Sequence, residues 1–161
     1  MKKILLNNIQ LIIYDFDGVM TNNTVILSEE GIESVIVNRS DGYGVRMIKE
    51  ELGITQIIIS TEKNSAVRKR AEKLGIDVMY GVEDKTVALK EYCEKNLFDF
   101  NNGALFIGND LNDYKAMKLC KYCMCPCDAE PEIIKISDKV LNKGGGEGIA
   151  RELYRLLKEL A

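Results

Sequence analysis

The amino-acid sequence predicts an α/β protein with a doubly wound parallel sheet, and two kinds of segment lead to this prediction. Short runs of consecutive apolar residues lie at 9–14, 57–59 and 104–107. Such runs, without polar alternation, are typical of strands buried on both faces, as in a parallel sheet. Segments of helical periodicity separate and follow them, and this alternation of strand and helix indicates an α/β fold.

Apolar residues at helical spacing predict three helices between the strands. Their ranges are 43–52, 64–74 and 85–96. Gly53 and Gly75 follow the first two helices directly, at the position where a glycine commonly ends a helix. A further amphipathic helix is predicted at 147–160, behind the three glycines of 144–146.

The segment after the first strand departs from this rhythm. Two short strands are predicted at 24–27 and 33–37, joined by a turn in which Gly31 can take a positive φ. This β-hairpin insert of about 24–38 is too short to form a separate cap domain. Because the chain has 161 residues, we expect a single domain over 1–161.

Composition and charge exclude several classes of function. A formal net charge of −3 argues against a nucleic-acid binder, which needs a basic face. The chain contains no histidine, which excludes Ser-His-Asp and Cys-His catalysis and leaves proton transfer to carboxylates, lysine, tyrosine or thiol. No run approaches the roughly 20 apolar residues of a membrane span. Residues 1–6 briefly resemble a secretion signal, but Asn7, Asn8 and Gln10 interrupt it, so we expect a cytoplasmic protein.

Polar residues follow three of the predicted strands, and ligands of open α/β sheets bind at the carboxyl ends of strands. Asp15 and Asp17 follow the first strand with one residue between them, and Gly18 allows a sharp turn. This spacing places both carboxylates on one side of the extended chain, where they repel unless a cation or a proton lies between them. The alternative interpretation is an acidic loop after a strand.

The other two strand ends carry a hydroxyl and an acidic cluster. Ser60 can donate to a phosphate oxygen, although a hydroxyl at this place is also a common helix N-cap. Residues 108–113 read Gly-Asn-Asp-Leu-Asn-Asp, and their oxygen-rich side chains suit Mg²⁺ or, alternatively, cap the following helix.

Lys85, at the start of a predicted helix, is a candidate cation for this edge of the sheet. A phosphate monoester carries about two negative charges near neutral pH, and Asp15 adds another. One Mg²⁺ and Lys85 could neutralise enough of this charge for a carboxylate to approach phosphorus. Most surface lysines, by contrast, are solvated and have no such role.

In this order, the four motifs resemble those of the haloacid dehalogenase superfamily of phosphatases. They are Asp-x-Asp-Gly-x-x-Thr at 15–21, Ser60, Lys85 and Gly-Asn-Asp-x-x-Asp at 108–113. The resemblance implies a Rossmann-like fold without a cap domain, and Mg²⁺ as cofactor. It implies that Asp15 forms an aspartyl phosphate and that Asp17 is the general acid and base.

The resemblance also assigns the remaining site residues. Ser60 and Lys85 would hold the phosphoryl oxygens, and Thr21 joins the substrate-binding set. The candidate Mg²⁺ ligands are Asp15, Asp17, Asn109, Asp110 and Asp113. The family usually has Asp where Asn109 stands; an amide oxygen can still bind Mg²⁺ but brings no charge, so Asp110 or Asp113 would carry more of the load.

Further motifs resemble the branch of phosphatases that act on 2-keto-3-deoxy sugar acids. They lie at 41–44, 62–64, 70–75 and 144–148. Glu62, Arg70 and Lys73 are more similar to the enzymes of sialic-acid-like 9-phosphates than to those of 3-deoxy-D-manno-octulosonate 8-phosphate. A sialic-acid-like 9-phosphate is therefore the favoured substrate, with Arg70 or Lys73 as partner of its carboxylate. Otherwise, the three are exposed residues of a charged helix.

Family members with only a hairpin insert resemble tetramers in which a neighbouring subunit helps to close the site. The resemblance implies a homotetramer, with 144–151 as a flexible lid supplied to a neighbour, or else as an ordinary loop. Some members are fused to cytidylyltransferases, so such an enzyme is a candidate partner.

Four of the five cysteines lie close together, at 120, 123, 125 and 127. Their spacing does not match the usual zinc frameworks, and the last three alternate along a predicted strand. We expect these thiols to pack in the core, with metal binding and redox regulation as alternatives.

Two other functions fit parts of the sequence. A phosphoacceptor receiver module also combines an aspartate with Mg²⁺, but receivers typically place that aspartate after a later strand. A non-catalytic assembly domain of sugar-nucleotide synthesis would keep the fold without turnover, which Asn109 permits.

Overall fold

The computed structural model describes residues 8–160, and a six-stranded parallel sheet forms its centre. The strands are β1 (Leu11–Tyr14), β4 (Thr55–Ile59), β5 (Asp77–Met79), β6 (Ala104–Ile107), β7 (Tyr122–Cys125) and β8 (Lys139–Val140). They lie in the order β5-β4-β1-β6-β7-β8, which confirms the doubly wound fold. The chain builds one half of the sheet and then the other, so the carboxyl end of β1 is the switch point where ligands bind in such folds.

A helix is present in each of the four segments where apolar periodicity predicted one. The helices are α1 (Arg39–Leu52), α2 (Ser65–Leu74), α3 (Lys85–Asn96), α4 (Phe100–Gly103), α5 (Leu111–Leu119), α6 (Pro131–Ile136) and α7 (Ile149–Glu159). Helix α1 begins four residues before its predicted start, because the Asn38 side chain accepts the Ser40 N–H and acts as N-cap. Gly53 and Gly75 end α1 and α2 with φ values of +66° and +68°.

Alternate residues of each strand enter separate cores on the two faces of the sheet. Ile12 and Tyr14 of β1 pack in the core that includes α1, α2 and α7. Leu11 and Ile13 pack in the core that includes α3, α5 and α6. Because every residue of the central strands β1 and β6 is buried, on one face or the other, these two strands are uninterrupted apolar runs.

The cysteines of β7 follow the same alternation. Cys123 and Cys125 pack in the core of α3, α5 and α6, while Met124 packs in the opposite one. Core packing is thus confirmed for these thiols, but Cys127 lies beyond the strand and is exposed, so the prediction was wrong for it. Within the described part of the chain, no group of three or more His, Cys, Asp or Glu could hold a metal ion.

The insert between β1 and α1 is a short hairpin. Its strands are β2 (Ile26–Leu27) and β3 (Glu33–Ser34), which pair antiparallel and are shorter than predicted. Gly31 takes the expected positive φ, at +78°. Ile26, Leu27 and Ile32 are each at least 60% exposed, so this hairpin presents an apolar surface.

The amino-terminal segment 1–6, which resembles the start of a secretion signal, lies outside the described residues. No helix between residues 8 and 160 combines the length and the apolar character needed to cross a membrane.

Helices α1 and α7 pack closely against each other at Gly44. A Cβ at Gly44 would lie 2.3 Å from the carbonyl carbon of Ala150, so Gly44→Ala forces the helices apart. We expect this substitution to lower the free energy of unfolding by about 1–3 kcal/mol. Gly42→Ala is the matched control, because its Cβ meets only a Leu74 methyl at 3.8 Å. Urea denaturation of both variants checks this, and equal destabilisation would contradict it.

Candidate active site

Asp15 lies at the carboxyl end of β1 and is 4% exposed. Its N–H donates to the Ile107 carbonyl at 2.9 Å, which extends the pairing of β1 and β6 by one residue. Its Oδ1 accepts from the Phe16 N–H at 2.7 Å and lies 2.5 Å from Lys85 Nζ. The carboxylate is therefore held firmly by its own loop and by the first residue of α3.

Lys85 bridges two buried carboxylates, because its Nζ also lies 2.6 Å from Asp113 Oδ1. Lys85 is 2% exposed and Asp113 is fully buried. Burial lowers the pKa of Lys85, but the two carboxylates outweigh it and raise that pKa overall. Burial and the charge of Asp113 raise the pKa of Asp15, against the opposing effect of Lys85. When all three groups are ionised they carry a net negative charge, which a further cation would balance.

Asp113 and Asp110 shape the loop that opens α5. Asp113 Oδ2 accepts the N–H groups of Asn109 at 2.9 Å and Asp110 at 3.3 Å. Asp110 is the N-cap of α5, with Oδ1 2.6 Å from the Leu111 nitrogen, and the two aspartates form a capping box. The alternative interpretation of this acidic cluster, helix capping, thus describes both side chains. Asn109 is the residue of the loop that faces Asp15.

The Asn109 side-chain amide meets two acceptors. The amide atom directed at them lies 2.9 Å from Asp15 Oδ2 and 2.9 Å from the backbone carbonyl oxygen of Asp17. With nitrogen in that position, the amide donates to both. With oxygen there, three oxygens converge, an arrangement that suits a hard divalent cation. A Cβ at Gly18 would lie 2.0 Å from Asn109 Nδ2, so only glycine leaves room for this approach.

Thr21 orients the Asp17 carboxylate through a hydrogen bond within the loop that follows β1. Its hydroxyl donates to Asp17 Oδ1 at 3.2 Å and accepts the Gly18 N–H at 3.3 Å. Thr21 is fully buried, so its expected place among the substrate-binding residues is corrected to a positioning role. Burial raises the pKa of the half-buried Asp17; the hydrogen bond from Thr21 opposes this, and the charge of Glu62 adds to it. A raised pKa suits a general acid.

Ser60 and Glu62 lie at the carboxyl end of β4, beside Asp15. Ser60 is 2% exposed, and its hydroxyl oxygen accepts the Glu62 N–H at 3.1 Å, which leaves the hydroxyl able to donate. The exposed Glu62 carboxylate accepts the N–H groups of Lys63 at 2.8 Å and Asn64 at 3.0 Å. Glu62 therefore lies at the rim of the site while it shapes the turn into α2.

Arg70 and Lys73 are not brought to this site. Arg70 Nη2 donates to the Asn38 carbonyl at 2.7 Å, so the guanidinium joins α2 to the start of α1. Burial lowers the pKa of Arg70, and the neighbouring Asp41 carboxylate partly opposes this. Lys73 is exposed in the last turn of α2, a helix about 15 Å long that begins beside the site and runs away from it.

The glycines of 144–146 pack against the Asp17 loop of their own chain. The Gly146 N–H donates to the Val19 carbonyl at 3.0 Å, and its own carbonyl accepts from Asn38 Nδ2 at 3.1 Å. A Cβ at Gly145 would lie 2.3 Å from the Gly18 carbonyl oxygen. Residues 144–146 are therefore packed within their own chain, and the supply of 144–151 to a neighbour stays a prediction. Consecutive glycines also permit close packing of backbone against backbone, and the sequence-based prediction missed this meaning of the three glycines.

A sequence model of haloacid dehalogenase-like hydrolases matches residues 1–153. The chain belongs to this family. The match confirms the family recognised from the four motifs, and with the phosphatases among its relatives it confirms the expectation of a phosphatase.

Other haloacid dehalogenase-like proteins resemble the chain over most of its length. The 3-deoxy-D-manno-octulosonate 8-phosphate phosphatase of Salmonella typhi is 34% identical over 150 residues, which cover 93% of this chain and 79% of that protein. A family hydrolase from Streptomyces avermitilis superposes with a TM-score of 0.91 at 32% identity, covering 99% of this chain and 98% of that one. The octulosonate phosphatase of Moraxella catarrhalis, solved with magnesium, phosphate and KDO, has a TM-score of 0.90 at 29% identity, covering 96% and 88%.

Proposed function

We propose that the chain is a Mg²⁺-dependent phosphatase that acts in the cytoplasm on a 2-keto-3-deoxy sugar acid phosphate, through an aspartyl phosphate on Asp15. The observation that carries the proposal is the convergence of Asp15, Asp17 and Asn109 at one point, beside the buried Lys85. The relatives named above supply the substrate class, since the Salmonella typhi enzyme and the Moraxella catarrhalis enzyme are both phosphatases of the eight-carbon acid.

The residues of the site fit Mg²⁺. Asp15 Oδ2, the Asp17 carbonyl and the Asn109 amide oxygen would hold the ion, and all three are oxygen ligands of the kind that Mg²⁺ prefers. A bound Mg²⁺ would neutralise part of the charge of the phosphoryl group and of Asp15. The Moraxella catarrhalis structure, which contains a magnesium ion and a phosphate ion, supports this cofactor.

In the first half-reaction, a carboxylate oxygen of Asp15 attacks phosphorus. The bond from phosphorus to the sugar oxygen breaks, and Asp17 gives its proton to that oxygen. Lys85 and Ser60 hold the phosphoryl oxygens and offset their charge as the bond to Asp15 forms. The geometry supports these roles because Lys85 Nζ already lies 2.5 Å from Asp15.

In the second half-reaction, water attacks the phosphorus of the aspartyl phosphate. Asp17, now ionised, takes a proton from that water, and the bond from phosphorus to Asp15 breaks to release inorganic phosphate. Thr21 keeps the Asp17 carboxylate in place for both proton transfers. After both half-reactions Asp15 is again a free carboxylate and Asp17 again carries its proton.

The eight-carbon 3-deoxy-D-manno-octulosonate 8-phosphate is the preferred substrate in this proposal, ahead of a sialic-acid-like 9-phosphate. The nine-carbon preference depends on Glu62, Arg70 and Lys73. Of these, Glu62 lies at the rim of the site, whereas Arg70 is bound to the Asn38 carbonyl and Lys73 lies in the last turn of α2. Comparison of kcat/KM for the two acids decides the order.

A homotetramer and a cytidylyltransferase partner belong to the same proposal. The apolar hairpin residues Ile26, Leu27 and Ile32 supply a surface that another copy could cover, since exposed apolar clusters mark interfaces. Light scattering of the purified protein measures the oligomer, and a monomer would contradict this part of the proposal. Co-purification with a cytidylyltransferase from the same source tests the partner.

Turnover assays with and without metal test the activity. The protein is incubated with the two sugar acid phosphates and with an aryl phosphate, first with Mg²⁺ and then with EDTA. Release of inorganic phosphate that stops with EDTA supports the proposal. Absence of turnover with every substrate favours the non-catalytic assembly domain, which Asn109 in place of the usual aspartate makes the second candidate.

We expect the Asn109 amide to affect two properties, the affinity of the site for Mg²⁺ and the stability of the metal-free protein. We expect Asn109→Asp to bind Mg²⁺ about tenfold more tightly, because the site gains a charged oxygen ligand. The metal-free variant should unfold at a lower temperature, since a carboxylate would face Asp15 Oδ2 and the Asp17 carbonyl without a proton to donate.

Thermal unfolding in EDTA and in rising Mg²⁺ measures both effects. Asn112→Asp is the matched control, because Asn112 lies three residues further on, in the first turn of α5, and is exposed. An equal gain in Mg²⁺ stabilisation for the two variants would contradict a specific role of Asn109.

A further inference from the structure

The structure assigns Asp128 a positioning role for Asp17, transmitted through the three glycines of 144–146, which we call the glycine brace. This inference rests on the proposed function, because it treats Asp17 as the acid and base of the site. Asp128 is exposed, follows β7 at the same edge of the sheet as Asp15, and belongs to none of the motifs recognised in the sequence.

Asp128 holds the glycine brace by its backbone. Both carboxylate oxygens accept the Gly145 N–H, at 2.9 Å and 3.2 Å. Charge-assisted bonds of this kind are stronger than those between neutral groups. Further support comes from Glu147, which accepts the Gly144 N–H at 3.0 Å, and from Asn38, which donates to the Gly146 carbonyl.

The glycine brace in turn lies directly against the loop of Asp17. The Gly146 N–H donates to the Val19 carbonyl at 3.0 Å. A Cβ on Gly145 would lie 2.3 Å from the Gly18 carbonyl oxygen and 2.7 Å from that of Thr21. Because this packing joins backbone to backbone, without a flexible side chain between, a shift of the brace moves the loop.

Two features of Asp17 depend on the position of that loop. Its carbonyl oxygen lies 2.9 Å from the Asn109 amide, at the candidate metal position. Its carboxylate is oriented by Thr21, the residue at the end of the loop. A displacement of about 1 Å at a reacting group can cost about 100-fold in rate. Loss of the Asp128 carboxylate should therefore slow the chemical step and weaken the binding of Mg²⁺.

The test compares Asp128→Ala with Asp128→Asn, which keeps an oxygen acceptor. Asp99→Ala is the matched control, because Asp99 is also an exposed carboxylate that accepts a backbone N–H, from Asn101 at 2.9 Å. Asp99 caps α4 before the amino end of β6, at the edge of the sheet remote from Asp15. The assays use the full chain with 3-deoxy-D-manno-octulosonate 8-phosphate and Mg²⁺.

We expect Asp128→Ala to lower kcat by about tenfold to 100-fold, to change KM less, and to raise the Mg²⁺ concentration needed for half-maximal activity. Asp128→Asn should retain most of the rate, and Asp99→Ala should match the unaltered protein. Without any substrate, hydrogen exchange at the amides of 18–22 and 145–146 should become faster in Asp128→Ala and stay unchanged in Asp99→Ala.

Equal kcat and equal exchange in Asp128→Ala and Asp99→Ala would overturn the inference. Failure of Asp128→Ala to fold would also overturn it, because Asp128 would then serve the fold as a whole. If the unaltered protein shows no turnover, the proposed function fails, while the exchange measurement still decides whether Asp128 holds the loop through the glycine brace.

Discussion

Asp15→Asn is expected to lower kcat for phosphate release by at least about 1,000-fold, because the amide cannot form the covalent intermediate. The substitution keeps the size of the side chain and can still accept the Phe16 N–H, which now binds Asp15 Oδ1 at 2.7 Å. The fold should therefore persist while the chemistry is lost. Steady-state release of inorganic phosphate, together with circular dichroism, measures the two properties separately.

Asp110→Asn is the matched control for this experiment. Asp110 lies in the opposing loop, is partly exposed and caps α5, a position in which asparagine serves about as well as aspartate. Its activity should stay close to that of the unaltered protein. Retention of more than a small fraction of activity by Asp15→Asn would contradict nucleophilic catalysis by Asp15. A loss of equal size in Asp110→Asn would indicate that Asp110 binds the metal.

Lys85→Met is expected to remove activity and to lower the free energy of unfolding by roughly 3–5 kcal/mol. Lys85 Nζ lies between the buried carboxylates of Asp15 and Asp113, at 2.5 Å and 2.6 Å. Methionine fills a similar volume but leaves these charges facing each other without a cation. Chemical denaturation in EDTA measures the stability without a contribution from metal.

The stability lost in Lys85→Met should depend on pH. Burial and the charge of Asp113 raise the pKa of Asp15 in the folded protein, and Lys85 opposes this, so its removal raises that pKa further. A carboxyl group whose folded pKa is raised is destabilising above that pKa, and the penalty decreases as the pH falls through it. The difference in unfolding free energy should therefore be largest at and above neutral pH and smaller in acid.

The double variant Lys85→Met with Asp113→Asn separates stability from activity. It removes one of the two facing carboxylates, so part of the lost stability should return. Activity should not return, because the phosphoryl group still lacks its cation. If Lys85→Met had the same free energy of unfolding as the unaltered protein at every pH, the buried charge cluster would be contradicted.

The sheet and the order of its site residues could be predicted because the sequence marks the strand ends, where a polar residue directly follows an apolar run. Asp15 and Ser60 each follow an uninterrupted apolar run, and the parallel register brings these ends to one edge. Helix α3 begins at Lys85 as predicted. The pattern cannot show whether Asp113 caps the helix or binds a metal ion, since in either role it lies at the start of a helix that follows a buried strand.

The parts that could not be predicted depend on packing between distant segments. The glycines of 144–146 lie against residues 18–22 through backbone atoms, so no side-chain periodicity marks the contact. Arg70 and Lys73 lie on the same helix, but only the fold shows that Arg70 meets the Asn38 carbonyl. Residue type and local spacing therefore do not reveal which contacts these segments make within the chain.

A crystal structure grown with Mg²⁺ and beryllium fluoride, which mimics a phosphoryl group on aspartate, tests the central claim most directly. The account predicts one Mg²⁺ bound by Asp15, the Asp17 carbonyl and the Asn109 amide oxygen. It also predicts beryllium fluoride attached to Asp15 and in contact with Lys85 and Ser60. Magnesium bound elsewhere, or beryllium fluoride on another residue, would contradict it.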